Sequence, residues 1–458
     1  MCLYAYDLDA LTDHVERVVS ALPERCRIFY AMKANSAEPI LRALAPIVAG
    51  FEVASGGEVA KARAVDSDIP VIFGGPVKTE REIADAIHHN VTRFHVESIL
   101  ELHRISEVAV RSGRVADVLL RVNLAGPFPS ATLAMAGRPT QFGIDESVLA
   151  DAVDAVRALP GLRLAGFHLH SLSNNLSPDA HLEMLGLYRE KVIGWEREFG
   201  MRCEVLNVGG GIGINYADLD AQFDWISFTR GLAELVDGFP SHWKEIDFEC
   251  GRFLVAACGR YAVEVVDIKR NHGVDYVLVR GGTHHFRLPV SWQHSHPFTI
   301  LPVDAWRCAA PRPEVRDQPV TVVGELCTPK DVLARDVTVP AVRAGDVLVF
   351  SHAGAYGWEI SHHDFLSHPH PEQVFLSDSA AQGDRWRFAS RSPRRAAGID
   401  HQSRGLVWQG DLVGRDKARG GEGGDRRGVA GVRLGNHPRA GRVGVQQARC
   451  DRVQQPPA

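Results

Sequence analysis

The sequence predicts an α/β protein, a TIM-like (β/α)8 barrel followed by a C-terminal β-domain. Three observations carry this. From about residue 10 to 260, short apolar runs alternate with helical stretches, and eight such runs occur, the number a closed parallel barrel needs. Beyond Gly259 the helical period gives way to β-rich segments and tight turns. From Ser379 onward neither pattern persists. An open doubly wound sheet writes a similar string over the first region and is the alternative architecture.

The opening strand Leu3–Tyr6, within residues 1–9, is expected to pair into the β-domain. In the barrel region, 10–260, apolar residues at helical spacing predict helices over Leu11–Leu22, Glu38–Ala45, Gly57–Val65, Thr79–His89, Glu97–Ser106, Glu146–Ala158 and Asp179–Phe199. Strands are expected at Ile28–Ala31, Gly50–Val53, Val71–Phe73, Arg93–Val96, Asp117–Val122, Leu164–His170, Val205–Val208 and Glu245–Glu249. The β-domain, 261–378, is read from strands Tyr261–Lys269, Tyr276–Arg280, Val320–Val323 and Asp346–Phe350. Turns at Asn271-His272-Gly273 and Ala344-Gly345-Asp346 punctuate them. The stretch 379–458 recurs in Arg and Gly without a period, and Lys417 is its one lysine. It is expected to be disordered, either a basic nucleic-acid-binding tail or, the favoured reading, biologically unimportant sequence such as an out-of-frame extension, and no chemistry is assigned to it.

Composition narrows the function. With 458 residues, 45% of them hydrophobic, the chain can bury a large core. A net charge of −5 gives neither nucleic acid nor an anionic membrane an electrostatic hold. No secretory leader and no apolar run of spanning length is read. The eight cysteines are scattered, with no Cys-x-x-Cys pair, which suits the reducing cytoplasm and argues against structural zinc.

The candidate chemistry starts at Lys33, which ends the apolar run Ile28-Phe29-Tyr30-Ala31-Met32. A lysine at the tip of a buried strand costs desolvation unless its charge is paired or used, and its amine can form an imine with a carbonyl compound. A surface lysine at a strand end is the plain alternative. Gly209-Gly210-Gly211 follows an apolar strand, and its backbone N–H groups can approach phosphate oxygens. Phe248-Glu249-Cys250-Gly251-Arg252 puts a carboxylate at a strand end with an arginine three residues on, to hold a ring nitrogen and a phosphate respectively, or else a plain ion pair. His168 and His170 share one face if their strand is regular. That spacing also suits a metal, but no third ligand follows at a clear interval, and no metal is expected. His170 is read as stacking on a cofactor ring, with Ser173 bonding phosphate. Cys327, in the turn-rich run Gly324–Asp331, reads as a proton donor, and Tyr356 offers a phenol in a flexible turn.

Together these segments, with Tyr4-Ala5-Tyr6-Asp7-Leu8, Phe29–Asn35 and Gly50–Glu58, resemble the fold-type III pyridoxal phosphate decarboxylases of diaminopimelate, ornithine and arginine. The resemblance spans roughly residues 3–378. It implies an alanine racemase-like barrel, pyridoxal 5'-phosphate as cofactor, and a head-to-tail homodimer with shared active sites. It makes Lys33 the Schiff-base lysine, His170 the stacking residue and Glu249 the partner of the ring nitrogen. Gly209, Gly210, Gly211, Gly251, Arg252 and Ser173 complete cofactor binding. Cys327, as the acid protonating Cα, and Tyr356, touching phosphate, are both expected from the partner subunit.

The departures bear on substrate. The family's His-x-Gly-Ser is here His170-Ser171-Leu172-Ser173, Cys250 replaces a proline, and the chain starts late. The acid that commonly follows the catalytic cysteine is here Thr328, which argues against a distal ammonium. Arg287 with His284 and His285, followed by Trp292, His294 and His296, suits an anionic substrate, and Thr328 and Asp331 are further expected contacts. Within the family these features look most like the decarboxylases of carboxylate siderophore assembly, which act on a citryl-diaminopropionate conjugate. Diaminopimelate or another basic amino acid is the alternative substrate. A racemase and a non-catalytic partner-binding homologue are the rival readings.

Overall fold

The computed structural model describes residues 1–126, 133–134 and 139–377, so the expected tail 379–458 lies outside the described residues. Eight strands close the ring of the central sheet, and a short ninth, Ile144–Asp145, pairs beside Val122 and Asn123. The eight are β2 (Cys26–Ala31), β3 (Gly50–Val53), β4 (Val71–Phe73), β5 (Arg93–Val96), β6 (Ala116–Asn123), β7 (Leu162–Leu169), β8 (Val205–Gly209) and β9 (Glu245–Cys250). Each pairs in parallel with the next, and β9 pairs back onto β2. Because the ring closes, the sheet is a barrel and the open alternative falls away.

Caps set the helix ends more than periodicity does. Helix α1 (Leu8–Ser20) starts earlier than expected because the Asp7 carboxylate accepts from the Ala10 N–H at 2.9 Å. Helices α2 (Glu38–Leu44) and α3 (Gly56–Val65) follow β2 and β3. Helix α4 (Glu80–His88) opens on a capping box between Thr79 and Glu82 and buries Ile83, Ala86 and Ile87. Each such aliphatic side chain contributes roughly 1.5–3 kcal/mol when fully buried. Ser98 caps α5 (Ile99–Arg111), so Glu97, expected inside the helix, lies outside it and turns to the barrel. Helices α6 (Leu149–Ala158) and α7 (Pro178–Phe199) match expectation closely. Helix α8 (Trp225–Asp237) was not expected; Asp224 caps it, and Trp225, Phe228, Leu232 and Val236 form its buried stripe.

The second sheet comprises β10 (Gly259–Asn271), β11 (Val274–Val279), β12 (Phe298–Leu301), β13 (Glu314–Val323), β14 (Val332–Arg343), β15 (Val347–Phe350) and β16 (Glu372–Leu376). Of these, β12, β14 and β16 were not expected. The opening strand β1 (Cys2–Asp7) lies between β10, antiparallel, and β16, parallel, as its pairing into this domain predicts. The β10–β11 hairpin turns on His272 and Gly273, both at positive φ (48° and 84°), the geometry of a two-residue turn.

Alternate residues of β9, Glu245, Asp247 and Glu249, point to one side. At the N-terminal end of the barrel Glu245 and Asp247 meet Arg27 of β2 and Arg93 of β5 in four contacts of 2.5–2.9 Å. Both guanidinium groups also lie over the Phe29 ring. Asp247 and Arg93 are buried, so this quartet is sustained by mutual pairing. Leu119, Ala165 and Val205 form a small separate apolar cluster on the barrel strands.

Candidate active site

A cavity of about 410 Å3 opens at the C-terminal ends of the barrel strands, within the range of roughly 300–1,000 Å3 usual for small-molecule pockets. Its floor carries Lys33, on a 3-10 turn (Met32–Ala34) that follows β2 directly. That turn is held from the β-domain: the Asn35 amide donates to the Gly354 carbonyl at 2.9 Å, and the Tyr356 N–H to the Ala34 carbonyl at 2.8 Å. Lys33 Nζ sits 2.5 Å from Glu52 Oε2. Burial pulls its pKa down, but Glu52, with Tyr356 and Glu249 beyond, outweighs this and holds the amine above its ordinary value.

Glu249 stands near the end of β9, the strand that pairs with β2 beside Lys33. Burial raises its pKa against the Lys33 and Arg121 cations. Its Oε1 has no hydrogen-bond partner among the described residues. His95 Nδ1 lies 3.1 Å from that oxygen and His168 Nε2 3.6 Å. The strand places His168 and His170 differently. His168 joins His95 and Glu249 inside the barrel, whereas His170, just past the end of β7, accepts the Gly210 N–H on Nδ1 at 3.1 Å. Burial, with Arg121 and Lys33 nearby, pulls His170 down to about 3, so its ring is neutral and free to stack. His95, His168 and Glu249 offer ligand atoms within 4.8 Å of one another. The adjacent Lys33 and Arg121 cations oppose a dication there, and the carboxylate is the one a protonated ring nitrogen needs.

The phosphate side is built from two laced loops. Asn175 N–H donates to the Gly211 carbonyl at 2.7 Å, and Gly213 N–H to the Asn175 carbonyl at 2.9 Å. Gly211 has φ +95°, and a Cβ there would lie 2.3 Å from the Leu172 carbonyl oxygen, so only glycine brings the loops this close. Ser173 and Gly211 face the cavity. Arg252, 7% exposed, is caged: its guanidinium lies 4.2 Å from the Trp292 ring centroid and 4.6 Å from that of Tyr356, and donates to the Tyr216 hydroxyl at 3.1 Å. An amine, a carboxylate with an open oxygen, a neutral imidazole and a glycine–arginine cradle are together the donor set that a pyridine aldehyde bearing a phosphate requires. The residues fit that cofactor.

Thus Lys33, His170, Ser173, Gly211, Glu249, Gly251, Arg252 and Tyr356 meet around one cavity, with Gly209 and Gly210 beside it. Tyr356 does so from the same chain, which corrects the expectation that it crosses from a partner; the hydrogen bond to Ala34 fixes it there. The remaining expected residues, Cys327, Thr328, His284, Arg287 and Asp331, do not line it. Cys327 and Arg287 are exposed. The buried Asp331 carboxylate is taken up by the Thr283 N–H (2.6 Å) and Leu326 N–H (2.8 Å), so it ties two loops instead of meeting substrate. His284 is fully buried, with Glu325 Oε1 3.8 Å from Nε2. The expected anion-facing histidines also turn inward: His285 contacts the Tyr261 hydroxyl (3.1 Å) and Pro369 carbonyl (2.9 Å), while His296 contacts the Ser351 carbonyl (2.6 Å) and His294 (3.0 Å).

Sequence reasoning missed Glu52, Arg121 and His95, and set Trp292 in an anion-facing wall where it instead packs on Arg252. Glu52 stood in a quoted motif with nothing to single it out. Arg121, paired with Glu97 at 2.7 Å, lines the cavity from a strand that reads as apolar.

Residues 8–256 match the family model described as pyridoxal-dependent decarboxylase, pyridoxal binding domain. The 2-[(L-alanin-3-ylcarbamoyl)methyl]-2-hydroxybutanedioate decarboxylase of Staphylococcus aureus is 49% identical over 83% of this chain and 95% of its own length. The L-glutamyl-[BtrI acyl-carrier protein] decarboxylase of Niallia circulans is 33% identical over 81% of this chain and 87% of its own. Among solved structures, diaminopimelate decarboxylase from Helicobacter pylori complexed with L-lysine superposes with a TM-score of 0.71 at 25% identity, covering 82% of this chain and 92% of that one.

Proposed function

This chain belongs to the pyridoxal-dependent decarboxylases, and from that premise we propose that it removes the amino-acid carboxylate of a citryl-diaminopropionate conjugate, leaving citryl-ethylenediamine, in siderophore biosynthesis. The carrying observation is the 49% identity, across nearly the whole length, to the Staphylococcus aureus enzyme named for that conjugate. The neutral Thr328 beside Cys327 supports it, since no acid stands there to pair a distal ammonium. Of the cationic groups expected for the citryl carboxylates, Arg287 is the one that is exposed.

Bound pyridoxal phosphate supplies an electron-accepting ring for the pair left when the Cα–carboxylate bond breaks. The chain's residues bind and orient around that. Lys33 contributes the amine for the cofactor aldehyde, and Glu52 is the base within reach of the proton its nitrogen must shed. Glu249 would hold a protonated ring nitrogen, and His170 would cover a ring face. Gly209–Gly211, Ser173, Arg252 and Tyr356 would hold the phosphate. Cys327 of the partner subunit returns the proton to Cα; its exposure and its absence from its own cavity support a head-to-tail homodimer with shared sites. Free cysteines throughout the described residues suit a cytoplasmic enzyme, and no helix among them is long and apolar enough to cross a membrane.

The test is a competition assay following CO2 release from the citryl conjugate, meso-diaminopimelate, ornithine, arginine and lysine. The conjugate should lead by about a hundredfold or more in kcat/KM, the scale set when buried charged groups go unpaired. A win for meso-diaminopimelate would overturn the substrate assignment.

A further inference from the structure

Behind Glu249, inside the barrel, lie five buried polar atoms with no hydrogen-bond partner among the described residues: both ring nitrogens of His95, both of His168, and Glu249 Oε1. Asn207, whose Nδ2 is likewise buried and without a hydrogen-bond partner, also faces Glu249 and favours its charged form. His95 Nδ1 stands 3.1 Å from Glu249 Oε1, and the His168 ring packs on the His95 ring with centroids 4.3 Å apart. A neutral imidazole has one N–H to give; on Nδ1 it lies beside the carboxylate but off hydrogen-bond alignment, and a small turn of the ring brings it onto Oε1. An unpaired buried carboxylate oxygen is costly, so the geometry selects that tautomer.

We infer that His95 is a positioning residue for Glu249: its N–H occupies Oε1 and leaves Oε2 for the ring nitrogen, and His168 buttresses the His95 ring. This rests on the reading of Glu249 as the ring-nitrogen partner. The groups facing the trio are Lys33 on the turn after β2, Glu52 of β3, Arg93 below on β5, Arg121 of β6 with Glu97, His170 past β7, and Lys78, whose Nζ donates to the His95 carbonyl at 2.8 Å. Burial and Arg93 pull the His95 imidazole down to about 3. It therefore stays neutral through the working range, and donates a hydrogen bond without surrendering a proton. A charged lysine or arginine at the same place would neutralise Glu249 and compete with the ring nitrogen; a neutral donor orients the carboxylate and leaves its charge available.

The test uses holoenzyme and four variants: His95→Leu, His95→Asn, His168→Gln and Glu249→Gln, with His95→Leu also in the Glu249→Gln background. Readouts are the pH at which the visible absorbance of bound cofactor changes, the cofactor dissociation constant, and kcat against KM. His95→Leu should move the absorbance transition by half a pH unit or more and weaken cofactor about threefold to tenfold. It should lower kcat about tenfold with KM within twofold. His95→Asn, which keeps a donor, should fall between. In the Glu249→Gln background His95→Leu should add nothing beyond twofold. A silent His95→Leu, or an equal effect in both backgrounds, overturns the inference. An unaltered Glu249→Gln protein instead overturns the reading beneath it. Should His95→Leu not fold, the His95→Asn and His168→Gln proteins carry the same comparison.

Discussion

A histidine buried without a charge partner is an acid liability, and His181 is the clearest case here. It is fully buried on α7, edge-on to Phe228, and burial pulls its pKa down to about 4. His285 and His352 are likewise depressed, to about 3 and about 4. The unfolded value is near 6.5, so between pH 6.5 and 4 the unfolded chain binds protons that the folded chain does not. Stability therefore falls as pH drops through that window, by about 1.4 kcal/mol per pH unit for one fully shifted group. Glu359, raised to about 7 by burial, works in the opposite sense, losing stability as pH rises from 4.5 to 7. The histidines outnumber it, and the thermal midpoint should decline from pH 7 to pH 5. His181→Phe should flatten that decline by about one proton's worth; an unchanged slope would mean that His181 is protonated in the folded protein. At this scale Lys33, His170 and Glu249 were legible because each stands at the end of a strand run with a residue type unusual there, and Arg252 because it stands three residues past Glu249. The inward histidines were not, since a sequence shows which residues can carry charge and not which carbonyl already holds them. His95 was hidden for a related reason: on a barrel strand the interior face is polar near the site, and period-two reading alone does not say which face is inside.

Among the elements, the loop that presents Cys327 depends on Asp331. Its carboxylate bridges the Thr283 and Leu326 N–H groups, and a Cβ on Gly282, at φ +148°, would lie 2.5 Å from Asp331 Oδ1. Asp331→Ala leaves two buried donors unpaired, a cost of roughly 1–3 kcal/mol each. Turnover should drop about tenfold while the absorbance of bound cofactor stays put, because the barrel half of the site is untouched. A changed spectrum would show that the loop reaches the cofactor through its own chain. Strand and helix identity along the barrel was legible because each element repeats its own period. Boundaries were less so, because Asp7 and Ser98 move helix ends through single hydrogen bonds. Helix α8 carried a readable signal, the Asp224 cap followed by Trp225, Phe228, Leu232 and Val236, and was passed over. Strand β14 was obscured by Arg335 and Asp336 in its middle, an exposed pair with Asp336 at φ 52°.

Among the described residues the two large sheets are stitched by the first strand, since β1 belongs to the second sheet and leads straight into α1 of the barrel. The barrel supplies Lys33 and the β-domain supplies both Tyr356 and the exposed Cys327. A head-to-tail dimer then makes a direct prediction. Lys33→Ala and Cys327→Ala proteins, each nearly inactive, should regain up to about a quarter of wild-type activity when their subunits exchange, because half the dimers are mixed and each has one intact site. No recovery despite demonstrated exchange would put both residues in one subunit.

The quartet of Arg27, Arg93, Glu245 and Asp247 makes the barrel a blind tube. With four paired charges and Phe29 sealing the lower end, everything that enters at the Lys33 end must leave through the same mouth. The traffic of the reaction is thus ordered from the far side of the barrel, by residues that never touch the substrate.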